Sequence, residues 1–256
     1  MKNLAGKSVG LFIFLLIWEG VSRSGLVLQD YFPPVSAIVV AMAEELRSPK
    51  FVGNLLTTWT RTLAGLSIAL VLGIGTAILA ARYAWLQRLL APAVDMLRVL
   101  PPPAIVPLSI FIFGIGPKLY LFIVTFAAVW PIYINAFNAI SSPEPVQINI
   151  ARSMGYSDSE IMLRVRLPAA LPEIFTGIRI GSGLALLGAV ASEMIAASSG
   201  LGALLYDAGF TLRVKDMFAI MFFVGISGIL LNAAVALVRG WLIGWHIGLA
   251  AQGDHA

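Results

Sequence analysis

The chain has no cysteine, only two histidines and few charges. Without cysteine there are no disulfides, thiolate nucleophiles, iron–sulfur clusters or Cys-ligated zinc. The histidines, His246 and His255, stand near the C-terminus, so the interior has no His-rich metal cluster. Asp, Glu, Lys and Arg supply 12% of the 256 residues, against about a quarter in an ordinary soluble domain. What fills the space is apolar: 59% of residues are hydrophobic and the mean hydropathy is +0.91. A soluble chain of this size needs polar residues to cover its core. Their absence makes lipid the solvent for much of this surface. The net charge of +4 is carried by Lys and Arg in short segments between apolar runs. That placement points to membrane topology and anionic headgroups, not to nucleic acid.

A hydrocarbon core about 30 Å thick takes about 20 apolar helical residues. On that template the sequence predicts an all-α integral membrane protein with about six transmembrane helices: Ser8–Val21, Leu63–Ala81, Val99–Ile115, Leu119–Phe137, Ile174–Ala197 and Phe218–Val238, the last with room to extend to Ile247. Lys2 and Lys7 before Val9–Trp18 have the look of a signal peptide. The apolar run continues through Val21 with no small-x-small cleavage site, so a retained first helix is expected. With the N-terminus in the cytoplasm, ten of the 17 Lys and Arg fall on inside segments, in the sense of the positive-inside rule. Both termini are then cytoplasmic. The expected organisation is a first helix and the start of an external segment over 1–29, a membrane domain over 30–245 and a tail over 246–256. In the segment Ser22–Thr62, read as non-spanning, Pro33-Pro34 opens a short interfacial helix, Val35–Arg47, and Ser48-Pro49 breaks it. Trp59, Trp85, Trp130, Trp241 and Trp245 lie near predicted span ends, as interfacial aromatics do. Gly73, Gly75, Gly177, Gly181, Gly225 and Gly228 are read as close-packing positions between helices.

Charges inside spans are costly in lipid. Glu193 is the deepest, and is expected to line a path, gate it or pair with another helix. Arg179, nearer the inner end of the same span, is expected to snorkel or attract an anionic solute. Asn232 suggests a helix–helix hydrogen bond. Pro101–Pro103 and Pro107 predict an irregular inner part of the third span, a feature that flanks permeation paths.

The most informative stretch is 141–172, SSPEPVQINIARSMGYSDSEIMLRVRLPAALP. It is too polar to span and too well punctuated for a loose loop. Ser142 is read as a helix cap with Pro143 in the first helical position. Gly155 stands where a left-handed C-cap is needed. Ser157 and Glu160 make a capping box for a second short helix, which Pro168 and Pro172 interrupt or kink. A connector needs fewer residues. A compact helix–turn–helix at the inner face suits docking into a groove of a cytoplasmic partner.

This stretch resembles the "EAA" loop of bacterial binding-protein-dependent ABC importer permeases, whose pattern is Glu-Ala-Ala, three residues, Gly, nine residues, Ile, one residue, Leu-Pro. Here Asn149, Ile150 and Ala151 are followed at the same spacings by Gly155, Val165 and Leu167-Pro168. Asn149 replaces the acidic residue and Ile150 the first alanine. The resemblance extends to Arg61 with Gly65, Arg98–Ala104 with Pro107, Phe113–Gly116, Gly177-Ile-Arg179, Ser192-Glu193-Met194 and Gly200-Leu-Gly202, which are similar to the nitrate, taurine and aliphatic-sulfonate branch. It implies a type I ABC importer permease fold. It also implies a second permease subunit, as a homodimer, two cytoplasmic ATPase subunits that use ATP and Mg, and an extracytoplasmic solute-binding protein, all in the bacterial inner membrane. The solute implied is a sulfonate, taurine or nitrate; some members carry nitrogenous vitamin precursors. Asn149, Ala151, Arg152, Gly155, Ser157, Glu160, Val165, Leu167 and Pro168 are then the ATPase-coupling residues. Glu193, Arg179, Pro103 and Pro107 are candidates for the path or its gate. No cofactor or metal is expected on this chain, and no catalytic residue. Gly6-Lys7-Ser8 is a fragment of a phosphate-binding loop, but Met1 occupies the first glycine position. A secondary transporter would show paired intramembrane carboxylates or related halves, and a membrane enzyme a catalytic constellation. Neither is evident.

Overall fold

A computed structural model describes residues 2–196 and 198–253, with side chains for 9–10, 12–196 and 198–243. Trp245 and His246 lie outside the described side chains, and His255 outside the described residues. Among the described residues every regular element is helical. α1 (Lys2–Arg23) covers the first expected span. α2 (Val35–Arg47) has the predicted bounds, entered from Pro34 in extended conformation. Ser48 does more than break it. Its hydroxyl accepts from the Phe51 N–H at 3.4 Å, and Pro49 takes the first position of α3 (Pro49–Arg82). The 34-residue α3 is about 51 Å long at 1.5 Å per residue. The segment read as non-spanning up to Thr62 is corrected accordingly: from Pro49 onward it belongs to α3.

The third expected span is also corrected. Instead of one helix over Val99–Ile115, α4 (Ala84–Leu97) and α5 (Pro102–Phe113) meet at a bend of 107°. Pro101, Pro102 and Pro103 lack amide hydrogens, and Pro101, held extended before Pro102, separates the two helices, so the helix restarts at Pro102. The 12 residues of α5 reach about 18 Å, too short to cross alone. α6 (Pro117–Ser141) follows, then α7 (Pro145–Ser153), α8 (Asp158–Ile161), a π-helical turn (Met162–Arg166), α9 (Leu167–Ala196), α10 (Leu201–Phe210) and α11 (Val214–Gly253). Among the described residues four helices, α3, α6, the run Asp158–Ala196 and α11, are long and apolar enough to cross a membrane, or five if the bent pair α4–α5 is one broken span, against the six expected. Residues 246–253, expected as tail, continue α11.

The core is a three-helix layer with α6 between α3 and α9. α6 buries Tyr120, Val124, Ala128, Ile132, Ala136 and Ile140, a stripe repeating every fourth residue. α3 meets it with Gly65, Leu66, Ala69, Gly73 and Ala77, and α9 with Gly177, Gly181, Ala185, Gly188 and Ala189. A Cβ on Gly177 or Gly181 would fall 2.9 Å from α6 atoms. The small residues thus let the backbones approach, and dispersion contacts hold the layer in a solvent as apolar as the side chains. Gly75 and Gly225, expected in the same role, face open space. Gly75 is two residues from Gly73, about half a turn around the helix.

Two tryptophans differ from expectation. Trp85 and Trp241 are exposed, as interfacial residues are. Trp59 instead packs on Leu186, Val190 and Leu231, and its indole N–H donates to Ser227 at 3.2 Å. Trp130 packs against the core in mid-α6. Asn232 does not make the expected interhelical bond: its buried Oδ1 meets no partner among the described residues.

Candidate functional site

Two polar assemblies stand out from this apolar frame, at opposite ends of α9. The first is the segment between α6 and α9. Its start differs from expectation. The Ser142 amide still donates to Asn138, closing α6, and α7 begins at Pro145 after an uncapped Glu144. Gly155 sits at φ +81°, a conformation that favours glycine. It allows the Gly155 N–H to reach Arg152 O at 3.0 Å and the Tyr156 N–H to reach Ala151 O at 3.1 Å, a full Schellman closure. The capping box is present: Glu160 N–H donates to Ser157 Oγ at 3.3 Å, and Ser157 N–H to Glu160 Oε2 at 3.0 Å. Ile148, Ala151 and Ile161, with Tyr156 and Val165 against them, form a small core of the segment's own.

Pro168, expected to interrupt or kink the second helix, distorts it without ending it. It removes the N–H that an α-helix would aim at the carbonyl of Arg164, and the chain widens there into the π turn, with Leu167 N–H donating to Met162 O. The helix then continues, so Asp158–Ala196 forms one run of 39 residues. Val146, Ile150 and Met154, spaced by four, form an apolar stripe 56–65% exposed. Asn149 and Arg152 are exposed on the same short helix, and Ala151 is buried.

The second assembly surrounds Glu193, whose side chain is fully buried. Arg61 Nη1 donates to Glu193 Oε1 at 2.9 Å, while the Thr58 hydroxyl at 2.8 Å and the Gly202 N–H at 3.0 Å donate to Oε2. Thr58 Oγ1 also accepts from Leu201 N–H at 2.8 Å, and Asn54 Oδ1 accepts from Gly200 N–H. The first amides of α10 are therefore satisfied by α3 and α9 side chains, with a carboxylate at the positive end of the helix. Arg61 donates further to Ser199 O at 2.8 Å and Ser199 Oγ at 3.0 Å, and lies 4.0 Å over the Tyr120 ring. Tyr120 O–H in turn donates to Ala196 O at 2.9 Å. A buried charge survives in a low-dielectric interior only when paired and fully bonded in this way.

The geometry explains the Gly-Leu-Gly run. Gly200 has φ +106°, and a Cβ there would occupy the Glu193 carboxylate. A Cβ on Gly202 would strike the Val190 carbonyl and Glu193 Cβ. Glu193 and Arg179 are not brought together: 14 residues separate them, about 21 Å along α9. Arg179 is exposed, as are Pro103 and Pro107 on α5. Asn54 and Thr58 on α3, Tyr120 on α6 and Ser199 in the turn after α9 escape sequence reasoning, since nothing local marks their partners on distant helices. A cavity of about 350 Å³ between α3, α4 and α6 is lined by Leu72, Val94, Phe122, Phe126, Val129 and Trp130 among others. It offers an anion almost no polar partner.

A bundle of long apolar helices with a folded polar knob at one end of a continuous helix defines a multi-span membrane protein. The chain belongs to the family described as the binding-protein-dependent transport system inner membrane component, whose model matches residues 69–244. It is 32% identical over 245 residues to the bicarbonate transport system permease protein CmpB of Synechococcus elongatus, covering 91% of this chain and 87% of that protein. It is 30% identical over 245 residues to the taurine transport system permease protein TauC of Escherichia coli, covering 93% and 89%. Among solved structures it is similar to a chain of the MetNI methionine ABC transporter in an inward-facing conformation, with a TM-score of 0.63 and 20% identity over 82% of this chain and 98% of that one. That likeness is one of fold.

Proposed function

We propose that this chain carries a small anionic solute across the cytoplasmic membrane as half of a permease dimer driven by two ATPase subunits. The knob 141–172 is the handle those subunits grip. The observation that carries this is the exposed stripe Val146–Ile150–Met154 on a helix held rigid at both ends, by Pro145 and by the Schellman closure. An apolar stripe on a preorganised helix suits insertion into a partner's groove. Asn149, Arg152, Ser157 and Glu160 frame the handle, and Val165, Leu167 and Pro168 join it to α9. ATP and Mg are used by the partner. In this reading both termini are cytoplasmic, and a binding protein delivers solute on the other side. The solute class, an oxyanion such as bicarbonate, a sulfonate, taurine or nitrate, follows the relatives' names and the basic character of the chain. Arg179, exposed on α9 with no carboxylate within 4 Å among the described residues, supplies positive charge along the path. Pro103 and Pro107 lie exposed on the short α5 beside it. Glu193 acts on the path indirectly, by fixing α10 to α3.

The test is copurification with the ATPase subunit and ATP-driven uptake in reconstituted vesicles. Ile150→Asp and Met154→Asp should each abolish copurification and uptake while the permease still inserts. Retention of both activities in the double variant would remove the handle from this role, and labelling of residue 150 from outside intact cells would reverse the orientation.

A further inference from the structure

On the bundle side of α7 lies a second cavity, polar and about 190 Å³ in volume, closed by α8, the π turn and the end of α3. Arg82, Arg152 and Arg166 line it, with Asp158 beside them and Ile148 and Met162 behind. Arg82 stands 3.7 Å from Asp158. Arg152 and Arg166 have no carboxylate within 4 Å among the described residues. Three guanidiniums against one carboxylate leave an excess of positive charge around a small polar space. Guanidinium forks match phosphate oxygens in geometry and charge.

The position of the cavity argues for the source of that phosphate. Ile148 and Arg152 are four residues apart on one side of α7. Val146 and Ile150 lie two residues from Ile148, about half a turn away. The cavity therefore faces away from the apolar stripe and toward α3. Arg82 is the last residue of a 34-residue spanning helix. Just beyond it Tyr83 and Trp85 are exposed, 48% and 64%, as aromatic side chains at headgroup level are. The cavity thus sits at headgroup depth, where anionic lipids concentrate around basic pockets.

We propose that this cavity binds the phosphate of an anionic phospholipid headgroup, clamped by Arg152 and Arg166 with Arg82 alongside. The bound lipid would fasten the handle to the foot of α3. That the leaflet is the inner one rests on the orientation proposed above; the binding chemistry does not.

The experiment titrates the full-length chain, purified in neutral detergent, with short-chain phosphatidylglycerol, phosphatidylcholine or inorganic phosphate, and reads the thermal unfolding midpoint. Phosphatidylglycerol should raise the midpoint saturably, and the other two should not. Arg152 is exposed and its side chain makes no hydrogen bond among the described residues, so Arg152→Gln should leave the fold intact, as circular dichroism checks. It should weaken phosphatidylglycerol about tenfold, the loss of one charge-assisted contact, and Arg152→Lys should recover part of that. Three results would each overturn the proposal: an equal response to phosphatidylcholine, which makes it a bulk-lipid effect; an equal response to inorganic phosphate, which makes it a soluble-anion site; or an unchanged affinity in Arg152→Gln. ATPase docking is read separately through Ile150 and Met154, so failure of one reading does not imply failure of the other.

Discussion

Arg61 on α3 and Glu193 on α9 are 132 positions apart in the chain and 2.9 Å apart in space, with the carboxylate fully buried and the guanidinium partly buried. The pair joins three elements, because the same two side chains hold Gly202 and Ser199, the entry to α10. Its worth lies in specificity of arrangement: removing one member leaves a buried charge without its counter-ion, which costs about 3–5 kcal/mol.

Glu193→Gln and Arg61→Met should therefore each lower stability by roughly that amount. The double variant Arg61→Met with Glu193→Leu should be less damaged than the two losses added together. Thermal unfolding of the detergent-solubilised chain measures this. Additive losses would mean that the two residues act independently.

Gly202→Ala should destabilise by upwards of about 2 kcal/mol, since the new methyl meets the Val190 carbonyl, which belongs to a rigid helix. Gly200→Ala adds an unfavourable backbone conformation, φ +106°, to eviction of the carboxylate. Both should expose the α9–α10 turn to proteolysis, detectable as a cut near residue 199.

In the handle, Gly155→Val forces a β-branched residue to φ +81°. ATPase copurification should be lost while the unfolding midpoint of the bundle stays near that of the wild type. Gly155→Asn, which tolerates that conformation, should keep the partner. Equal behaviour of Val and Asn would remove the turn from any role in docking.

Gly181→Leu should cost about 1–3 kcal/mol by overpacking α9 against α6. Gly183→Leu, where a Cβ meets open space, should be close to neutral. The contrast between positions two residues apart checks which face of α9 carries the core.

Glu45 on α2 is held above the ordinary carboxylate range by burial, with the Asp216 carboxylate adding to it. A raised carboxyl pKa means that the folded state keeps a proton the unfolded chain has released. Stability from this site is therefore greatest in acid and falls as pH rises past the unfolded-state pKa. Glu45→Gln should raise the unfolding midpoint at neutral pH by less than about 1 kcal/mol equivalent, and the gain should shrink as pH falls into the carboxylate range.

Local chemistry was legible. α2 has the predicted bounds, and Gly155 and the Ser157–Glu160 box do what their residue types dictate. Long apolar runs also announced α3, α6, α9 and α11. What hydropathy could not convey was where a helix continues through polar or proline-bearing residues. α3 begins 14 residues before its apolar stretch, because Ser48 and Pro49 supply a start signal that read as a stop. α4 was missed because Gln87, Arg88 and Asp95 keep its polar face wet and Pro92 masks its period. The Glu193 network was half visible. A buried glutamate demands partners, but which ones depends on three helices meeting, information that spacing along one helix does not hold.

The unbroken run from Asp158 to Ala196 sets a mechanical limit on the whole chain. At 1.5 Å per residue its 39 residues make a rod of about 58 Å, with the handle at one end and the Glu193 knot at the other. Beyond Pro168 and Pro172, which lack amide hydrogens, a push on the handle meets a continuous hydrogen-bond ladder that resists bending. It emerges as tilt at the far end, unless the widened turn at Met162–Arg166 yields first. The stiffness of that turn and of the proline-bearing stretch up to Pro172 therefore decides how much of a stroke delivered at one face of the membrane is felt at the other.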